Sequence, residues 1–208
     1  MWKDLSEHWQ TAFTEAWTAY CEGNIPIGAV LVGEDGEQLV RDHNRIRYDS
    51  RGSVKNMRLS HAEMNVLRLL DASVYEPRSL TLYTTMEPCP MCMGTAVMSN
   101  ICHLRSAARD PYCGMMHLAD TDPYYRSKSL DYTFEGGEKE FVQIVIQSVF
   151  ELRNIAQGAG DGVLNRFRDT FPEAVSAAES LYSSGDMDAF RNSTAAEVYD
   201  AIAGRYAL

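Results

Sequence analysis

Long apolar runs are missing from this 208-residue chain, and no stretch approaches the roughly 18 consecutive apolar residues that a membrane-spanning helix needs. The opening residues, Met1-Trp2-Lys3-Asp4, carry no apolar core of the kind a secretion signal has, so the expected location is cytoplasmic, with no membrane contact. Cysteine is sparse and odd in number: Cys21, Cys89, Cys92, Cys102 and Cys113. That excludes the dense disulfide framework of a small secreted scaffold and leaves reduced thiols and metal binding. Positive charge is short as well, 19 Lys and Arg against 29 Asp and Glu for a formal net charge of −10. A surface built throughout to grip polyanions is thereby excluded, because each phosphate contact relies on a cation. Internal repeats and low-complexity tracts are absent. What remains, 45% apolar and 23% charged residues, is the composition of a globular protein long enough for one well-buried core.

Along the chain, Leu5, Trp9, Ala12, Phe13, Trp17 and Tyr20 recur at helical spacing and predict an amphipathic helix ending at Gly23-Asn24. Apolar residues 27–32 and the extended pattern of 39–43 flank turn chemistry at 33–38 and read as a β-hairpin, with Asn44 just beyond it. Between 45 and 60 the periodicity vanishes, and Arg45, Arg47, Arg51, Lys55 and Arg58 are answered by Asp49 alone. This basic loop reads as a solvated surface or as a phosphate contact. A helix is expected at 60–71, a strand at 80–85, a helix from Pro88 to about Asn100 and a strand at 101–108. Such alternation argues for an α/β sandwich with parallel strands joined through helices. Residues 109–132 are loop-rich, with Tyr112, Tyr124 and Tyr125 placed to rim a site, and the apolar, β-branched run 141–150 reads as a buried last strand. A glycine-rich hinge at 157–162 precedes helical segments at 164–170 and 173–182, and Thr194-Ala195-Ala196-Glu197 has the spacing of a capping box. The expected domains are 1–156 and a helical extension, 157–208, packed on the first or on a partner subunit.

Chemistry concentrates in two short stretches, Ser60-His61-Ala62-Glu63 and Glu87-Pro88-Cys89-Pro90-Met91-Cys92. One histidine and a Cys-x-x-Cys pair close three corners of a zinc tetrahedron and leave the fourth for water, while Glu63 is free to move protons. Thiolates near a helix start are favoured by the positive end of its dipole and by the metal. Hydrolytic deamination uses every one of these parts. Structural alternatives exist for each stretch. Ser60 and Glu63 also fit a capping box, in which Glu63 ties down a helix start. Cys89 and Cys92 could belong to a closed structural zinc site with His103 or Cys102 as fourth ligand, or form a redox pair. His8, His43 and His117 have no matching partners in sequence, Cys21, Cys102 and Cys113 read as buried thiols, and the methionines near the site, including Met98, read as core filler.

Together these residues resemble the cytidine and nucleoside deaminase superfamily, in the branch that contains tRNA adenosine, guanine and cytosine deaminases. Pro26-Ile27-Gly28-Ala29-Val30, Asn44 and Ala107-Ala108-Arg109-Asp110 are similar to further motifs of that family. The resemblance implies a three-layer α/β/α sandwich around a five-stranded mixed sheet, here with a C-terminal helical extension. It implies that His61, Cys89 and Cys92 hold one Zn2+ per subunit, that Glu63 shuttles protons, that Asn44 and the Ala62 amide meet the substrate, and that Ile27 and Gly28 line its pocket. A homodimer is the expected assembly. The acidic composition and the long C-terminal region turn the expected substrate towards a free base, nucleoside or nucleotide, with adenosine in tRNA as the alternative. A zinc-stabilised binding protein without turnover is the third reading.

Overall fold

In the computed structural model, which describes residues 1–48 and 57–205, the first helix, α1 (Glu7–Glu22), turns Trp9, Phe13, Trp17 and Tyr20 inward and ends at Gly23. The φ of +85° at Gly23 is one that a side chain rarely adopts, which explains the glycine there. The hairpin follows, β1 (Gly28–Val32) antiparallel to β2 (Gln38–His43). Gly28 lets β1 lie directly under α1, because a Cβ at this position would meet the Ala12 carbonyl oxygen at 2.1 Å and the Ala16 nitrogen at 2.5 Å. His43 is buried between Glu15 Oε2 at 2.8 Å and Glu22 Oε2 at 3.1 Å, so partners 28 and 21 residues away tie β2 to α1.

The chain continues through α2 (Ala62–Leu67), β3 (Thr81–Met86), α3 (Pro90–Met98) and β4 (His103–Ala108). Two single-turn helices, α4 (Leu118–Thr121) and α5 (Pro123–Arg126), lead to β5 (Asp131–Phe134). The sheet order is β2-β1-β3-β4-β5. β1 pairs antiparallel with β2 and β3, while β3–β4 and β4–β5 are parallel, which makes the five-stranded sheet mixed. Ala29, Leu31, Leu82 and Leu104 face α2 and α3 on one side of it. Val30, Val32, Met86 and Ala107 face the other layer. The three-layer α/β/α sandwich is therefore as the sequence led us to expect.

Three expectations are corrected. Residues 141–150 are not the last strand but the middle of α6 (Gly137–Ala156), and the fifth strand is the short, half-exposed β5. A continuous apolar run reads equally as buried strand or buried helix. The signals that decide it lie in the flanks: Gly136 and Gly137 at positive φ, then Glu138 and Glu140 in the first turn, where the helix dipole favours acids. α2 is shorter than the expected 60–71; past Leu67 the backbone tightens to i→i+3 bonds, and Leu69 is 54% exposed, with no apolar surface to cover it. Met98, 69% exposed, is not core filler.

The C-terminal region forms α7 (Gly162–Thr170), α8 (Pro172–Ser184), the single turn α9 (Asp186–Ala189) and α10 (Ala195–Ala203), the last with the capping box made by Thr194 and Glu197. These helices share one apolar core with α1 and α6. The Tyr199 ring meets Phe13 edge-on at 5.0 Å, and Trp17 Nε1 donates to the Ser193 carbonyl at 3.1 Å. No described helix is long and apolar enough to cross a membrane. Of the basic stretch 45–58, Arg45 is buried and ion-paired with Asp42, so it is not the solvated loop cation expected of it, whereas Arg47 is exposed and donates to Asn154 Oδ1 at 2.7 Å. Arg58 is exposed; Arg51 and Lys55 lie outside the described residues.

Candidate active site

Both α2 and α3 begin at the edge of the sheet where β3 ends. His61 is the residue before α2 and Cys89 the residue before α3, both in extended backbone. Pro90 takes the first helical position of α3, where the missing N–H is no loss, and Cys92 lies just inside the first turn. The two sulfurs are 3.6 Å apart, and His61 Nδ1 is 3.6 Å from Cys89 Sγ and 3.5 Å from Cys92 Sγ. A tetrahedral zinc ion with bonds of about 2.3 Å to sulfur and about 2.0–2.1 Å to nitrogen spaces its ligand atoms by about 3.5–3.8 Å. The three atoms match that triangle, so the donor set fits zinc.

His103 and Cys102 do not join the group. They lie at the start of β4, away from His61, where His103 Nδ1 pairs with Asp131 Oδ2 at 3.0 Å and Cys102 Sγ points at the Asn100 and Lys128 carbonyls. Among the described residues, the other cluster of potential ligands is Glu15, Asp42 and His43, whose members are taken up by the His43 bonds and by the Asp42–Arg45 pair.

Glu63 is 3% exposed, with Oε2 3.4 Å from Cys92 Sγ and Oε1 3.3 Å from Thr84 Oγ1. The capping box that its spacing allowed is not made: α2 has no side-chain cap, and Ser60 Oγ turns to Asn65 Oδ1 at 3.1 Å. Burial raises the Glu63 pKa above the ordinary carboxylate value, which suits a group that must hold a proton as well as take one. Without metal the triad carries one thiolate. The Cys92 thiol, and then His61, hold Cys89 down to about 4, while the hydrogen bond to Cys89 and burial keep Cys92 well above its usual value. A divalent ion removes this asymmetry by favouring both thiolates.

The triad opens on a cavity of about 180 Å³. Its floor holds His61, Glu63, Asn44, Ile27 and Met86. Asn44 is fully buried; its Oδ1 accepts from the Ile46 amide at 3.1 Å, whereas its Nδ2 has no partner among the described residues. Gly28 and Ala62 are not among the residues that line the cavity. Gly28 sits under α1 with its amide donating to Thr85 Oγ1 at 3.2 Å, and Ala62, buried beside Val66, begins α2, where its N–H has no intrahelical acceptor.

Three features of the cavity escaped the sequence reading. Glu87 braces the loop that forms one wall: Oε2 accepts from the Asp110 amide and Oε1 from the Met116 amide, both at 2.9 Å. This puts Tyr112 and Cys113 at the mouth. Opposite, α6 contributes Gln147 and Glu151, and α7 contributes Val163 and Phe167. A helical signal for the α6 residues was present, since Gln143 and Gln147 inside the apolar run and Glu151 just past it recur every four positions. The contribution of α7 has no local signal, because it depends on how the extension folds back.

Fold and site together define a class: an α/β/α sandwich with a His-Cys-Cys zinc triad at two helix starts and a buried carboxylate beside it. The chain belongs to the family described as "Cytidine and deoxycytidylate deaminase zinc-binding region", whose model matches residues 3–106, half of the chain. It is 38% identical over 105 residues to the tRNA-specific adenosine deaminase of Bacillus subtilis, an alignment that covers 50% of this chain and 61% of that enzyme. It is 34% identical over 93 residues to the cytosine deaminase of Candida albicans, covering 43% and 56% respectively. A structure solved in complex with 2,6-diaminopurine shares the fold at 17% identity and a TM-score of 0.55, over 71% of this chain and 81% of that one.

Proposed function

We propose that this chain is a zinc-dependent hydrolase that releases ammonia from an amino-substituted purine or pyrimidine supplied as a free base, nucleoside or nucleotide. The observation that carries the reading is Glu63, buried without a salt bridge among the described residues, within 3.4 Å of a triad whose edges match a zinc tetrahedron and facing a small cavity. Zinc bound by His61, Cys89 and Cys92 would supply the chemistry of an acidified water near neutral pH. Glu63 takes a proton from the attacking water and delivers it to the ring nitrogen next to the amino-bearing carbon. As the new C–O bond forms and the C–N bond breaks, Glu63 passes the remaining proton to the departing amine, which leaves as ammonia. Thr84 steadies one Glu63 oxygen, and Asn44 Nδ2, without a partner among the described residues, offers a donor to the base or sugar.

The reading assigns 1–156 as the deaminase unit, with 157–208 as the extension that completes the pocket through α7. It also assigns one zinc per subunit, a cytoplasmic setting and a homodimer, the last supported by Met98 and Tyr124, exposed side by side with the Tyr124 hydroxyl 3.3 Å from the Met98 sulfur. Ammonia release from a panel of bases, nucleosides and nucleotides, run beside Glu63→Gln, is the test. Activity on at least one member, lost in the variant, is expected; an inert panel or an unaffected variant refutes the reading. A second reading, adenosine in tRNA, is supported by the name of the Bacillus subtilis relative. It requires salt-sensitive binding to tRNA, measured by filter retention across a salt series.

A further inference from the structure

The wall of the cavity formed by α6 has a polar side chain with an unmet need. Gln147 is 4% exposed, and its Nε2 donates to Glu151 Oε1 at 2.8 Å. Its carbonyl oxygen has no hydrogen-bond partner among the described residues. Both residues line the same cavity as His61 and Glu63. A buried acceptor left unpaired is costly, and in an otherwise packed core it points to a ligand that completes it.

The orientation of the Gln147 amide is set from behind. Arg47 can only donate, and its Nη1 donates to Asn154 Oδ1 at 2.7 Å, with its guanidinium stacked 4.8 Å over the Phe150 ring. Asn154 therefore presents its Nδ2 to Glu151 Oε2, at 3.3 Å. The remaining Glu151 oxygen takes the Gln147 amide nitrogen, which turns the Gln147 oxygen away from Glu151 as a fixed acceptor. The floor carries the opposite need, the unpartnered donor Asn44 Nδ2. The lining thus combines a residue with an unmet donor, Asn44, and one with an unmet acceptor, Gln147, among the described residues, with the apolar Ile27, Met86 and Phe167.

Charge narrows the occupant further. Glu87, Asp110 and Glu151 line the cavity in addition to Glu63, and no described Lys or Arg lines it. Arg109, the nearest cation in sequence to Asp110, is held in a two-pronged bridge to Glu140 at 2.9 and 3.0 Å. A phosphate in this cavity would face these carboxylates with no described Lys or Arg on the lining to answer it, while the zinc charge is largely met by the two thiolates.

We infer that Gln147, oriented by Glu151, determines specificity by accepting a hydrogen bond from an uncharged substrate, a free base or nucleoside, and that the carboxylate wall disfavours the phosphorylated form. This rests on the deaminase reading for its choice of ligands, so binding is measured separately from turnover. Zinc-loaded full-length Glu63→Gln protein is titrated by calorimetry with adenine, guanine and cytosine, their nucleosides and their 5′-monophosphates. The tightest-binding base or nucleoside is expected to exceed its 5′-monophosphate by about tenfold or more, and adding Gln147→Met is expected to weaken it by about tenfold, the size of one lost hydrogen bond that leaves a donor unpaired. Adding Glu151→Gln, which preserves shape, is expected to narrow the ratio between nucleoside and monophosphate several-fold. It carries the test alone where Gln147→Met does not fold. That ratio does not depend on the fraction of folded protein, so a merely structural role leaves it unmoved. Equal or tighter binding of the monophosphate, a ratio unchanged by Glu151→Gln, or no binding by any member overturns the inference. Ammonia release by the Glu63 protein with any of these outcomes leaves the deaminase reading standing, and the expected binding pattern without ammonia release leaves the inference standing and refutes the deaminase.

Discussion

Replacing Glu87 by alanine tests whether the cavity wall is held by the braces described above. The side chain is 9% exposed, and each of its oxygens accepts one main-chain N–H, from Asp110 and Met116, at 2.9 Å. Hydrogen bonds to a charged acceptor contribute about 1.5–3 kcal/mol each, and buried donors left without an acceptor lose a similar amount. Part of this is offset, because burial raises the Glu87 pKa and so already disfavours the carboxylate. A net loss of about 3 kcal/mol follows, which for a chain of this size lowers Tm by about 6–12 °C. Glu87→Gln retains one acceptor oxygen and is expected to lose about half as much. Thermal melts followed by circular dichroism read the stability, and metal analysis reads the triad, whose zinc content is expected to persist because Glu87 is not one of its three atoms. Calorimetry reads the wall, through weaker binding of whatever ligand the parent takes. A Glu87→Ala protein that melts within about 2 °C of the parent and binds ligand equally well refutes the bracing role.

Gly114 offers an independent probe of the same brace: a Cβ there would lie 2.2 Å from Glu87 Oε2 and 2.6 Å from the Asp110 carbonyl oxygen. Gly114→Ala is expected to be destabilising by denaturant melts, and less than additive with Glu87→Ala, since the two changes disturb one contact; full additivity contradicts this. His43 makes stability pH-dependent. Burial alone lowers its pKa, but the hydrogen bonds to Glu15 and Glu22 prevail and hold it above the ordinary value of about 6.5. The charged pair therefore contributes fully below about pH 6.5, and the contribution is lost as pH rises through the folded-state pKa. Urea melts from pH 6 to 9 are expected to show the gap between parent and His43→Gln narrowing with pH, and a constant gap counts against it. Zinc binding at pH 7 is expected to release between about one and two protons, because Cys92 starts protonated and His61 is raised by its bond to Cys89, whereas Cys89 is already a thiolate. Titrations in buffers of different ionisation enthalpy measure this number, and zero release refutes the assignment.

How much of this was legible in the sequence follows from how local each determinant is. His61, Glu63, Cys89 and Cys92 could be read because each pair lies within one turn of a helix start, so spacing alone puts the members side by side. The apolar character of 141–150 reads as a strand, whereas the polar positions Gln143, Gln147 and Glu151, four residues apart, mark the helix, and the last two also line the cavity. Arg45 looked like a loop cation because nothing nearby in sequence shows that Asp42 and the Ser60 carbonyl, which takes its amide at 2.8 Å, enclose it. His43 looked solitary for a similar reason. Its partners, Glu15 and Glu22, belong to a helix 28 and 21 residues earlier that meets the strand only in three dimensions.

The two sides of the cavity belong to different layers of the sandwich, and this separates chemistry from selection. The zinc triad and Glu63 are presented by α2 and α3, which pack on one face of the sheet. Gln147, Glu151 and Phe167 come from α6 and α7, which pack on the other. The matched family region ends at residue 106, before either of those helices begins. Substitutions in α6 or α7 can therefore reshape the wall that meets the substrate without moving a zinc ligand, since the intervening sheet fixes the starts of α2 and α3 through β1 and β3. Likeness in the first half of the chain accordingly covers the metal triad, Glu63 and part of the cavity, Asn44 and Ile27 among it, while the facing wall lies outside that likeness. Under the inference drawn above, the contacts that decide the substrate are those a ligand makes with Gln147 and Glu151.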